Sequence, residues 1–214
     1  MTIRHHLSDQ LLMAYAAGDL PEAFNLVVAT HVSLCDDCRA RSAAFDAVGG
    51  VMIEDSGAVD MAEGSLQAML ARLDDLPATP APAPTRAAGI FPAPLVDYVG
   101  GDPGKVKWRS IGMGVKQAIL PTGRDASARL LFIPAGQAVP DHGHRGLELT
   151  LVLQGAFRDD SDRFGRGDVE IADEAMEHTP VAEDGEACIC LAATDAPLRF
   201  NALLPRLAQP FFRI

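Results

Sequence analysis

The stretch LPATPAPAPTRAAG, residues 76–89, repeats proline at every second or third position and fills the gaps with alanine and small polar residues. Proline lacks a backbone N–H and its ring clashes with the preceding turn, so the stretch can be neither helix interior nor sheet interior. It reads as a semi-extended tether of polyproline type. With 214 residues, the chain is long enough for one large domain or two small ones. Two are expected: a domain at 1–76, a linker at 77–89, a second domain at 90–195 and a tail at 196–214.

Upstream of the tether the apolar pattern is helical. Ser8 can cap LLMAYAA, with Gly18 placed to end that helix. Pro21 suits the first turn of PEAFNLVVATHV, and CRARSAAFDAV forms a third helix stopped by Gly49-Gly50. SLQAMLARLDDL carries Leu66, Met69, Leu70, Leu73 and Leu76 on one stripe, the mark of a fourth amphipathic helix. The expectation is a small all-α domain of four helices. A module of this size rarely builds a sufficient core alone, so a structural metal or a partner is expected to complete it.

Charge narrows the partner. Residues 1–76 hold 12 acidic against 4 basic side chains, most of the chain's net charge of −11. That balance disfavours nucleic acid and favours a basic protein surface, although acids also keep a small domain soluble. No run approaches the ~18 apolar residues of a membrane span, and MTIRHHLSDQ lacks a signal peptide's apolar core. A cytoplasmic location without membrane contact is the expectation. Thiols stay reduced there, so close cysteines are read as metal ligands or redox groups.

HVSLCDDC contains such a group in His31, Cys35 and Cys38. In one continuous helix His31 and Cys38 would be ~10 Å apart along the axis, too far to share an ion. A zinc site therefore demands a break at SLCDDC, where Asp36 and Asp37 suit a helix start. The fourth ligand would be His5 or His6; the spacing barely separates them, and His6 is preferred. A thioredoxin-like pair is disfavoured because no βαβ pattern surrounds it. The arrangement resembles the zinc-binding anti-sigma family, whose members hold an extracytoplasmic-function sigma factor away from RNA polymerase. The resemblance implies zinc on His6, His31, Cys35 and Cys38, and a sigma factor bound 1:1.

Downstream the period shortens. ARLLFIP, LELTLVLQG, DVEIA and ACICLAA read as short strands punctuated by Gly, Pro and Asp, which suggests an all-β barrel or sandwich. Within GQAVPDHGHRGLELTLVLQG, His142, His144 and Glu148 fall in one phase of a strand, so their side chains can share a face. The spacing resembles the first cupin motif. His178 stands where the second motif has its histidine, although Asp173, Ala175 and Ala182 depart from that motif's usual Pro, Gly and Asn. The resemblance implies a cupin barrel whose second divalent metal is held by His142, His144, Glu148 and His178. Zinc is the first choice, with iron, manganese, nickel and copper also suited to that ligand set.

A zinc anti-sigma domain tethered to one cupin resembles the ChrR type of anti-sigma factor, a family associated with responses to singlet oxygen and related oxidants. The resemblance implies a regulator that inhibits a sigma factor and releases it on an oxidative stimulus sensed through the cupin. The rival reading is a metal-dependent cupin enzyme of dioxygenase or isomerase type with an accessory helical domain. Cys188 and Cys190 share one face of a strand and read first as buried thiols. The alternative is a redox pair facing the cupin site. Asp159, Asp160 and Asp162 read as a solvated loop without calcium-loop register, and Trp108, Phe211 and Phe212 as core or docking contacts.

Overall fold

A computed structural model describes residues 2–74, 89–200 and 209. The expected tether up to residue 88 and most of the expected tail, with Phe211 and Phe212, lie outside the described residues. Four helices precede the tether: α1 Asp9–Ala16, α2 Glu22–Leu34, α3 Asp36–Glu54 and α4 Ser65–Asp74. A fifth, α5 Ala93–Val99, follows it, so the expected count of four falls one short. Strands β1 Arg109–Gly112, β2 Val115–Ile119, β3 Ser127–Ile133, β4 His142–Gly143, β5 Glu148–Gln154 and β6 Ala156–Arg158 come next. Then follow β7 Arg163–Gly165, β8 Val169–Ala172, β9 Glu177–His178, β10 Val181–Ala182, β11 Cys188–Thr194 and β12 Arg199–Phe200.

The helix starts obey local chemistry. Ser8 Oγ accepts from Leu11 N at 3.3 Å at the head of α1, and Gly18 leaves its end with φ +72°. Cys35, at φ −111° and ψ 108°, is the extended break between α2 and α3, and its Sγ caps α3. α3 departs from expectation by running through Gly49-Gly50 to Glu54. Each glycine costs about 1 kcal/mol against alanine but does not terminate a helix unless the chain needs a left-handed residue there.

The β half holds a six-stranded sheet in the order β1-β2-β3-β11-β5-β8 and two three-stranded sheets, β10-β6-β7 and β12-β4-β9. All described pairings of the large sheet are antiparallel. The expected closed barrel is corrected here: among the described residues the large sheet ends at β1 and β8. The two-residue strands β4 and β9 pair with each other instead of extending it.

One apolar core joins the two halves. Leu12 on α1, Phe24 and Val27 on α2 and Leu95 on α5 are buried in the same cluster as Leu130, Leu149, Leu151 and Leu191 of the sheet. α2 packs on β3, β5 and β11, and Glu22 at its start accepts from Tyr98 Oη and Gly123 N, both at 2.7 Å. Close approach at the seam requires glycine: Gly167 has φ +89°, and a Cβ there would meet Ile3 Cδ1 at 2.8 Å.

Candidate metal centres

Cys35 and Cys38 flank the start of α3, and His31 lies one turn before the end of α2, so the break at Cys35 folds all three onto one point. His6, in the segment leading to α1, closes the group, and one ligand atom from each of the four lies within 4.8 Å of every other. His6 Nδ1 stands 3.3 Å from Cys35 Sγ and 3.6 Å from Cys38 Sγ. A tetrahedral zinc with bonds of ~2.3 Å to sulfur and ~2.0 Å to nitrogen sets those atoms about 3.5 Å apart. His5 faces elsewhere: its ring packs on Phe164 at 4.3 Å and its Nε2 lies 3.1 Å from Asp162 Oδ2. Between the two candidates the geometry therefore turns to His6.

His31 is fully buried, and its Nδ1–H donates to Gly167 O at 2.9 Å. That bond fixes the tautomer and leaves the buried Nε2 without a hydrogen-bond partner, available as the ring's ligand atom in the group with His6, Cys35 and Cys38. Burial, against the pull of the Gly167 carbonyl, brings the ring's pKa down to about 4, so it stays a neutral donor near neutral pH. Burial likewise lifts the Cys38 thiol to about 11, and a bound cation would reverse that and hold it as thiolate. The residues fit zinc.

The second centre lies in the β half. β4 and β9 place His142 directly opposite His178; the expected single strand through His142, His144 and Glu148 is corrected here, because β4 ends at Gly143, His144 follows it and Glu148 opens β5. The Nε2 atoms of His142 and His144 each lie 3.3 Å from His178 Nε2. Two imidazole nitrogens on one tetrahedral zinc at ~2.0–2.1 Å lie about 3.3 Å apart, so this cluster fits a divalent metal as well. His142 Nδ1–H donates to Pro140 O at 2.9 Å and His178 Nδ1–H to Asp159 Oδ2 at 3.0 Å, which turns both Nε2 atoms inward. Burial lowers the pKa of His142 and His144, so their rings are neutral. The expected carboxylate ligand stands apart from the three imidazoles: Glu148 Oε2 is 3.7 Å from His144 Nδ1, and its Oε1 accepts from Thr150 Oγ1 at 3.0 Å. It lines the same cavity as His142 and His178, of about 180 Å³.

Two carboxylates that sequence reasoning missed stand behind His178. Asp159, expected in a solvated loop, has a side chain that is 1% exposed. Its Oδ1 accepts from Ser161 N and Asp162 N, which curls the loop inward. Burial works against its charge, yet these bonds and His178 hold its pKa well below the carboxylate range. Glu170 on β8 is buried with Oε1 3.2 Å from His178 Nδ1, and burial raises its pKa. The two acids, with burial opposing them, bring the pKa of His178 up to about 9. An acid inside the apolar strand DVEIA was the one sequence signal for Glu170, since lone acids are rarely buried without a partner.

Cys188 and Cys190 are buried free thiols with sulfurs 3.5 Å apart, and Cys190 lines the cavity beside His142 and His178. The neighbouring Cys188 and burial raise the Cys190 pKa well above the usual thiol range, keeping it protonated.

Comparison with known proteins places the chain in a family. Residues 97–197 match the ChrR cupin-like domain. The anti-sigma-E factor ChrR of Cereibacter sphaeroides (strain ATCC 17023) is 69% identical over 214 residues, covering 100% of both chains. The chain belongs to the ChrR family of anti-sigma factors. A crystal structure of Rhodobacter sphaeroides SigE in complex with the anti-sigma ChrR matches at 65% identity with TM-score 0.81, covering 91% of this chain and 100% of that one. An RmlC-like cupin protein from Ralstonia eutropha matches at 22% identity with TM-score 0.41, over 48% of this chain and 71% of that one. That likeness is too remote to bear on function.

Proposed function

We propose that this protein is an anti-sigma factor that binds one extracytoplasmic-function sigma factor through its helical segment and so keeps it inactive. The observation that carries this reading is an exposed apolar surface on the family's scaffold. Val51, Met52 and Ile53 on α3 are 57%, 69% and 74% exposed, and Leu66, Met69, Leu70 and Leu73 on α4 are 51–62% exposed. An apolar stripe of this extent, on an acidic segment, marks a protein-binding face. The relative in the crystal structure is itself in complex with SigE, which supports a sigma factor as occupant.

In this reading zinc on His6, His31, Cys35 and Cys38 ties the lead-in of α1 to the junction of α2 and α3. Metal binding there contributes to folding and so sets the angle at which α3 leaves the core. Three imidazoles, with Glu148 close by, would hold a second divalent metal, zinc first. That half is the sensor of an oxidative stimulus, with the Cys190 thiol lining its cavity. The helical segment 1–76 and the cupin segment 90–195 act as binder and sensor in the cytoplasm; no helix among the described residues is long and apolar enough to cross a membrane. A cupin fold alone would also suit an enzyme, but membership of an anti-sigma family makes this chain a regulator.

Calorimetric titration of the full chain with a purified extracytoplasmic-function sigma factor tests the reading. Tight 1:1 binding is expected for wild type, with at least a hundredfold loss for the double variant Cys35→Ser, Cys38→Ser. Absence of binding by metal-loaded wild type overturns it.

A further inference from the structure

The two centres share a supporting segment. Gly167 O accepts from the Nδ1–H of His31, at the thiolate centre. Asp168 Oδ1 accepts from Arg4 N at 2.6 Å and His5 N at 3.0 Å, holding the two residues before His6. Val169 N donates to His5 O at 3.3 Å. Glu170 then sets its carboxylate 3.2 Å from Nδ1 of His178, at the imidazole centre. Four consecutive residues therefore touch the surroundings of both centres, and Gly167 and Glu170 are only about 10 Å apart along an extended chain.

These contacts are buried: Asp168, Glu170, His31 and His178 are each at most 4% exposed, so water cannot stand in for a lost partner. At the Glu170 end the arrangement is incomplete. His178 has one Nδ1–H for two buried acceptors, Asp159 Oδ2 at 3.0 Å and Glu170 Oε1 at 3.2 Å. With a metal held on Nε2, the Nδ1–H of His178 would be a stronger donor, and both carboxylates compete to accept it. Any resulting shift of Glu170 moves the start of β8, and with it the carbonyl on His31 and the carboxylate on residues 4–5.

We propose that the segment Gly167–Glu170 couples the two metal centres, with Glu170 and Asp168 as its positioning residues, so that occupancy of the imidazole centre alters how tightly the thiolate centre holds its metal. The inference rests on the metal reading above. Coupling of this kind is reciprocal and amounts to about fivefold or more in affinity.

Cobalt(II) is the probe. On the full chain, cobalt bound by Cys35 and Cys38 gives a thiolate charge-transfer band that the imidazole centre cannot give. The band's decay under excess chelator reports release from the thiolate centre alone. With wild type, filling the imidazole centre first should change the decay rate about fivefold or more. Glu170→Gln, similar in size but uncharged, should load both centres and bring the two rates within twofold. Asp168→Asn, which acts from the opposite end and leaves the imidazole centre untouched, should do the same. Equal rates in wild type overturn the coupling while leaving the metal centres standing, as does a difference that survives in both variants. Failure of wild type to develop the band overturns the metal reading and the coupling together.

Discussion

His31 holds the Gly167 carbonyl with Nδ1–H and keeps a buried Nε2 that has no hydrogen-bond partner. On the proposed zinc site, His31→Ala removes a ligand, a buried bond and the volume of a fully enclosed ring, so the zinc bound per chain should drop and stability fall by about 3 kcal/mol. Metal analysis and chemical unfolding of the purified variant check both; unchanged zinc content would remove His31 from the site. Backbone geometry gives a second test. Gly155 has φ +66°, and a Cβ there would sit 2.8 Å from Ala187 O, a backbone atom that cannot swing away. Gly155→Ala should cost about 2 kcal/mol from left-handed strain and the clash together. The two candidate clusters were legible in part because His31, Cys35 and Cys38, and likewise His142 and His144, lie close in sequence, whereas His6 and His178 come from distant segments. His6 over His5 was barely so, since the difference is which neighbour turns toward Asp162 and Phe164. Asp159 and Glu170 were hidden because their role depends on His178 arriving from another strand.

At the scale of elements, α4 was legible as a helix but not in its role. A stripe of leucines normally predicts a face buried in the same chain, yet Leu66, Met69, Leu70 and Leu73 all stand in solvent. The periodicity says that a face is apolar and is silent about whose surface covers it. Changing these four residues to serine should leave the melting temperature of the free protein within about 2 °C, because they make no core contact to lose. The same change should weaken sigma-factor binding by a hundredfold or more, since central apolar anchors carry most of an interface's energy. Thermal unfolding and titration separate the two effects, and unaltered affinity would move the docking face away from α4. The strands were clear for a plainer reason. ARLLFIP, LELTLVLQG, DVEIA and ACICLAA are bounded by strong turn formers, and they became β3, β5, β8 and β11. α5 was missed: the seven residues from Ala93 to Val99, set between Pro92 and Gly100, carry too little periodicity to register.

At the scale of the whole molecule, the proline tether suggested two bodies, while packing draws one buried cluster through both. Residues on a helix face carry no mark that distinguishes a partner helix from a distant sheet, so the seam could not be read from pattern alone. It has a thermodynamic consequence. Two bodies joined only by a tether would each melt at their own temperature, whereas a shared core makes each half depend on the other. α2 is the element to perturb. Phe24 is 2% exposed, and α2 packs on α5 as well as on three strands of the large sheet. Phe24→Ala should cost about 3–5 kcal/mol. At roughly 2–4 °C per kcal/mol for a chain of this size, that is a fall of about 10 °C. Calorimetry of the metal-loaded protein should show wild type melting in one transition and the variant in one transition at the lower temperature. If only part of the heat absorption moves and the rest stays in place, the halves fold independently. Any signal from sensor to binder would then have to pass through the tether, not through the buried seam at Gly167–Glu170.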